Sequence, residues 1–175
     1  MPSSAGCAGV ADIADLFRRL TAGVYVIGVA DGERRNAFTA AWLTQVSFDP
    51  LLLALSVNTG HASFPLLVAG GGFTVSVLSR DQVHLARHFG TRSARETDKL
   101  AGVPWHPGRT GAPILDDSLA YLECVLDGRA PAGDHVIVTG RVVAGELLAP
   151  DAVPLTYADT GELDASRELY PSELG

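Results

Sequence analysis

The chain has 175 residues, of which 47% are apolar and 19% charged, with a formal net charge of −7 and a pI of about 5.1. This length suits one domain able to bury roughly 70% of its unfolded surface, and the apolar share excludes disorder over most of it. The acidic balance excludes a nucleic-acid partner held through phosphate contacts, so an anionic ligand must be held by local donors and not by the overall field.

The apolar surplus leaves room for a subunit interface, because a small monomer hides that much surface poorly. Cys7 and Cys124 give neither a disulfide framework nor a metal spacing, which fits reducing, cytoplasmic conditions. Met1 to Val10 lacks the basic stretch of a signal peptide, and no apolar run is long enough to cross a membrane as a helix.

Residues 1–9 are expected to be a loose tail, and residues 10–175 one domain. Asp12 is placed to cap a helix in which Ile13, Leu16, Phe17 and Leu20 recur at helical spacing, with Gly23 as its stop. Val24 to Val29 reads as a strand, Asp31-Gly32 as a hairpin turn, and Arg34 to Thr44 as the returning strand. Pro50 opens an apolar strand, Leu51 to Val57. A helix follows from Ala62 or Ser63 to Val68, stopped by Gly70-Gly71-Gly72.

Phe73 to Leu78 alternates large apolar and small polar residues, as a half-buried strand does. Asp81 is placed to cap a helix running to Phe89. From Gly90 to Asp117 the chain is loop-rich, with a short helix expected near Arg95 to Leu100; a loop of that length usually covers something. Leu119 to Leu126 and His135 to Glu146 read as strands with a connection at 128–134, and Pro154 to Tyr157 as a further short strand. Short antiparallel strands with inserted helices predict an α+β barrel. No GxGxxG follows the first strand, which agrees.

Three clusters carry possible chemistry. Thr39-Ala40-Ala41 gives close backbone access beside small side chains, as the polar edge of a flavin requires, with hydroxyls at Thr44 and Ser47, the Gln45 amide, and Trp42 to lie against a ring or a subunit contact. An ordinary edge strand with a polar face is the other reading. Asn58, His61 and Ser63 precede a helix, where unpaired amides and side-chain donors attract phosphate and a protonated His61 adds a charge-assisted bond; helix capping by Ser63 is the alternative. His135, after the Gly133-Asp134 turn, is placed to face a cleft and to position a nicotinamide or shuttle a proton, against a surface histidine paired with Asp134. His84 and His88 stand four apart on one helix without an evident third metal ligand.

The order of several motifs resembles the flavin reductase-like, FMN-binding split-barrel family. These are Phe17 to Val24, Asn36-Ala37-Phe38-Thr39-Ala40-Ala41-Trp42, Val46 to Pro50, Phe73 to Leu78, Gln82 to Ala86 with Phe89-Gly90, Asp98-Lys99-Leu100, Leu122-Glu123-Cys124, and Gly133-Asp134-His135 with Gly140-Arg141-Val142. The resemblance implies a six-stranded antiparallel split barrel that dimerises and binds FMN near the dimer interface. It implies that Asn36, Thr39, Ala40, Ala41, Trp42 and Ser47 belong to the ring site. Asn58, His61, Ser63 and Phe64 would then surround the ribityl phosphate, Phe89 would border the site, and His135 would lie near the nicotinamide. Family members often carry Gly and Ser where this chain has Ala37 and Ala41, and the Asn-Ala-x-Thr-Ala-x-Trp form resembles flavoredoxin-like members, some of which carry electrons. Leu169-Tyr170-Pro171 is expected over the site or on a partner subunit.

The function expected is therefore an NAD(P)H:flavin oxidoreductase, using NADH or NADPH and passing reduced flavin or electrons to a partner such as a monooxygenase. The alternative is an FMN-binding electron carrier without a nicotinamide site. A pyridoxamine phosphate oxidase-like or haem-binding relative of the same barrel is disfavoured by the lack of a basic phosphate cluster and of an axial ligand.

Overall fold

In the computed structural model, residues 10–91, 98–161 and 166–171 are described, with only the backbone for 10–12 and 91. Gly32, at φ 60°, turns β1 (Tyr25–Asp31) into β2 (Arg34–Ala40), and the two pair antiparallel from Tyr25↔Ala40 to Asp31↔Arg34. Along β1, Val26, with Val24 just before the strand, enters one core while Ile27 and Val29 enter another. The chain then runs through β3 (Leu43–Phe48), the cis Asp49-Pro50 peptide and β4 (Leu51–Asn58).

Helix α2 (Phe64–Gly70) ends in left-handed Gly71, and β5 (Gly72–Val77) follows. A 3-10 turn at Arg80–Gln82 leads into α3 (Val83–Thr91), then a small hairpin, β6 (Trp105–Pro107) with β7 (Pro113–Leu115). The long hairpin β8 (Ala120–Ala132) and β9 (His135–Leu147) closes the order, while α1 (Val10–Arg18) precedes the sheet.

The main sheet has seven strands in the order β2-β1-β5-β8-β9-β4-β3, with every pair antiparallel. Its two edge strands, β2 and β3, are consecutive in the chain and are linked only by Ala41 and Trp42. Six inter-strand spacings of about 4.8 Å would set the edges of a flat sheet about 29 Å apart, far beyond the reach of that link. The sheet must therefore curl until its edges approach each other. Phe38, Leu53, Leu55, Phe73 and Val75 fill the inside of the curl under α2, and Val26, Ala37, Leu78, Phe89 and Leu155 pack under α3.

The α+β class holds, with corrections. The sheet has seven strands where six were expected, because the single strand expected over Arg34 to Thr44 breaks at Ala41-Trp42 into β2 and β3. The connection expected at 128–134 is mostly strand, continued past a bulge between Leu126 and Gly128, and Gly133 at φ 63° makes the turn. The strand expected at Pro154 to Tyr157 is reduced to isolated bridges, Gly23↔Thr156 and Ser79↔Pro154. Asp12 falls within α1, and Ser79, not Asp81, caps the turn before α3. The tail expected at 1–9 and most of the helix expected near Arg95 to Leu100 lie outside the described residues.

Candidate functional site

The register of β4 on β9 sets Asn58 opposite His135, and the Ser56 amide donates to the Trp42 carbonyl at 3.0 Å. These two constraints bring the break between β2 and β3 against the start of β9. The rings of Trp42 and His135 lie 5.0 Å apart, inclined by 50°. They stand at one side of a cavity of about 450 Å³ whose floor is the end of β2, from Phe38 to Ala41, with Asn58 and His61 beyond it. Its opposite wall comes from Phe17 of α1 and Leu20 just past that helix, and from the C-terminal segment through Tyr157, Ser166 and Tyr170. A side pocket of about 110 Å³ opens from the same floor, between Thr39, Ala40, Ala41 and the small residues Ala86 and Gly90.

Of the residues expected at a cofactor, Thr39, Ala40, Ala41, Trp42, Asn58, His61 and His135 line this cavity. Thr39 does not present a free donor, since its hydroxyl donates to the Ala86 carbonyl at 2.7 Å. The other five lie elsewhere. Asn36 is buried and its Nδ2 donates to the Ser63 hydroxyl at 2.6 Å, a bond between the two side chains that ties β2 to the start of α2. Ser63 also makes no side-chain cap to α2. Phe64 packs against the inner core, and Phe89 is fully buried in the core under α3. Ser47 stands on the edge strand β3, outside the cavity lining.

The turn before α2 satisfies much of its own backbone. Asn58 Oδ1 accepts from the Gly60 amide at 2.8 Å, the Asn58 carbonyl accepts from His61, and the His61 carbonyl accepts from Phe64. His61 Nδ1 accepts from the Ser63 amide at 3.2 Å, which places the ring proton on Nε2. Burial, and then the charge of Lys99, push the His61 pKa down. A charge-assisted bond from protonated His61 is thus disfavoured; the ring offers a neutral Nε2–H, held beside Phe38 at 4.7 Å between centroids.

Lys99 is the residue that the sequence reading passed over. It is 3% exposed, its Nζ donates to the Phe89 carbonyl at the end of α3 at 2.8 Å, and no carboxylate among the described residues pairs with it. Burial pushes its pKa down, the expected response of an uncompensated cation out of water. Asp98-Lys99-Leu100 was visible as a motif, but nothing in it tells a buried lysine from a solvated one. His135 Nδ1 lies 2.8 Å from Asp134 Oδ1, and that bond is the first cause of the depressed Asp134 pKa. His84 and His88 do not form a metal site: His88 Nε2 donates to the Lys99 carbonyl at 2.7 Å, and no metal-binding cluster occurs among the described residues.

Comparison with known proteins places this architecture. The family profile described as "Flavin reductase like domain" matches residues 17–164. The chain belongs to the flavin reductase-like family. It is 36% identical over 146 residues to the actinorhodin polyketide dimerase of Streptomyces coelicolor, covering 83% of this chain and 80% of that protein. The structure resembles the NADH:FAD oxidoreductase SgcE6 of Streptomyces globisporus, with TM-score 0.80, 28% identity, and 91% and 96% of the two chains covered. It also resembles BorF, the flavin reductase component of a bacterial two-component tryptophan halogenase, with TM-score 0.76, 36% identity, and 85% and 92% covered. Against the diflavin flavoproteins of Nostoc and Synechocystis, this chain spans only about a quarter of the relatives' length. No helix among the described residues is long and apolar enough to cross a membrane.

Proposed function

We propose that this flavin reductase-like chain binds FMN in the cavity between β2, the Asn58–Ser63 turn and the C-terminal segment. There it accepts a hydride from NADH or NADPH and passes reduced flavin or electrons to a partner such as a monooxygenase. The observation that carries this reading is an apolar cavity, large enough for a planar ring system, floored by backbone beside small side chains. Lys99 lies outside the cavity lining, but its charge reaches His61 in that lining, and a buried cation unpaired among the described residues suits a ligand that brings its own negative charge. The small side chains of Ala40 and Ala41 give a ring close access to backbone, and Asn58 and neutral His61 supply polar atoms toward the phosphate end. When bound, the flavin supplies the redox chemistry at its N5 position; the protein binds, orients and excludes water.

The relatives' names support the same class, since two of the similar structures are named as an NADH:FAD oxidoreductase and a flavin reductase component. We further propose a homodimer built on β3. This edge strand leaves Val46 52% and Phe48 89% exposed, with Leu51 and Trp42 also open, beside the cavity mouth.

Anaerobic addition of NADH and then NADPH to the FMN-loaded protein tests the activity. Rapid bleaching of the flavin bands with one or both establishes the reductase. Bands that persist with both nucleotides but bleach with dithionite would contradict it and identify an electron carrier instead.

A further inference from the structure

The wall formed by α1 and the C-terminal segment is fixed by specific contacts. The Tyr157 amide donates to the Ala22 carbonyl at 2.8 Å, its hydroxyl lies 2.9 Å from the Ser166 hydroxyl, and the rings of Phe17 and Tyr170 stack 5.5 Å apart. Two guanidinium groups from this wall have different fates. Arg167 is held by Asp15 at 2.7 Å. Arg18 has no carboxylate partner among the described residues, and its guanidinium lies 5.9 Å from the centroid of Tyr157, a ring that lines the cavity. Asp15, the acidic group one turn before Arg18 on the same helix, is engaged by Arg167 and does not neutralise it.

We propose that Arg18 is the residue that takes the diphosphate of the nicotinamide donor, and so sets the preference for a dinucleotide over a bare dihydronicotinamide. This rests on the reductase reading above. A donor whose ring enters the cavity leaves its ribose-linked diphosphate outside, beside α1 and Tyr157. A protein with net charge −7 repels that anion at long range, so a local cation has to hold it. A guanidinium matches phosphate with paired donors. Its seat over Tyr157 holds it in place before binding, which lowers the ordering cost.

The test compares NADH with N-benzyl-1,4-dihydronicotinamide, which carries the same reducing ring and no phosphate, on the FMN-loaded full chain. In Arg18→Ala and Arg18→Gln, the ratio of kcat/KM for NADH to that for the benzyl donor is expected to fall about tenfold. The Kd for NAD+, read by calorimetry on the loaded protein, is expected to rise by a similar factor. An unchanged ratio in both variants, or equal losses for both donors, overturns the role of Arg18. If one variant fails to fold the other decides, and if both do, Arg18→Lys, which keeps the charge and loses the paired donors, is compared by the same ratio, an unchanged ratio overturning the role. Failure of both donors to reduce the wild-type flavin refutes the reductase reading itself, and the inference falls with it.

Discussion

The imidazole of His135 stands 5.0 Å from the indole of Trp42, although one begins β9 and the other lies in the break between β2 and β3. Two backbone constraints produce this meeting, the pairing of Asn58 with His135 and the hydrogen bond from Ser56 to Trp42. His135 therefore reaches the cavity from a strand end and not from a loop, a rigid seat that suits the donor-positioning role proposed for it.

His135→Ala is expected to leave the flavin bound and to slow its reduction by the nucleotide about 10-fold to about 100-fold. Stopped-flow absorbance under anaerobic conditions measures the rate, and the spectrum of the desalted variant measures the bound flavin. An unchanged rate removes His135 from the mechanism.

Lys99→Met separates binding from folding. Replacing an uncompensated buried cation by an apolar side chain of similar length should leave the flavin-free protein as stable or more stable. The same change should weaken FMN about 10-fold to about 100-fold and erase most of the rise in Tm that FMN causes. Thermal melts with and without FMN report both effects. A variant that loses stability yet keeps its FMN affinity would make Lys99 purely structural.

His61 gives a pH dependence with a definite sign. Its folded pKa lies below the ordinary histidine value, first through burial and then through Lys99. The unfolded chain thus binds more protons between the two values, so stability is full above about pH 6.5 and declines as pH falls through the folded pKa. Denaturant melts from pH 7.5 down to pH 4.5 should show this loss, and His61→Gln should flatten it. A slope unchanged in that variant assigns the loss to other groups.

Much of this was legible in the sequence. The hairpin at Asp31-Gly32 and the strand ends at Asn58 and His135 follow from alternation and turn chemistry, which are local. The break at Ala41-Trp42 was not, because it comes from closing a curled sheet and no breaker residue marks it. Asn36 and Ser63 looked like ligand donors for a related reason: sequence shows their hydrogen-bonding capacity but not that each would use it on the other. The wall of Phe17, Tyr157 and Tyr170 comes from segments distant in sequence from the floor it faces, and the burial of Lys99 is likewise set by the fold. Only the folded chain brings them together.

Phe48→Asp tests the proposed dimer. With 89% of Phe48 exposed on an edge strand, the charge should cost the isolated subunit little and oppose pairing at β3. Sedimentation equilibrium is expected to give twice the 18.3 kDa chain mass for the wild type and the single mass for the variant. A wild type that sediments as a monomer contradicts the proposal.

The most direct test of the whole account is whether FMN occupies this cavity. Ala40 lines both the main cavity and its side pocket, so Ala40→Trp would fill the floor with an indole. Titration of FMN, followed by its fluorescence, is expected to show tight binding to the wild type. A variant with an unchanged melting temperature should lose at least about tenfold in affinity, since a filled pocket forfeits its contacts. Equal affinity in the two proteins, or no binding by the wild type, would contradict the site.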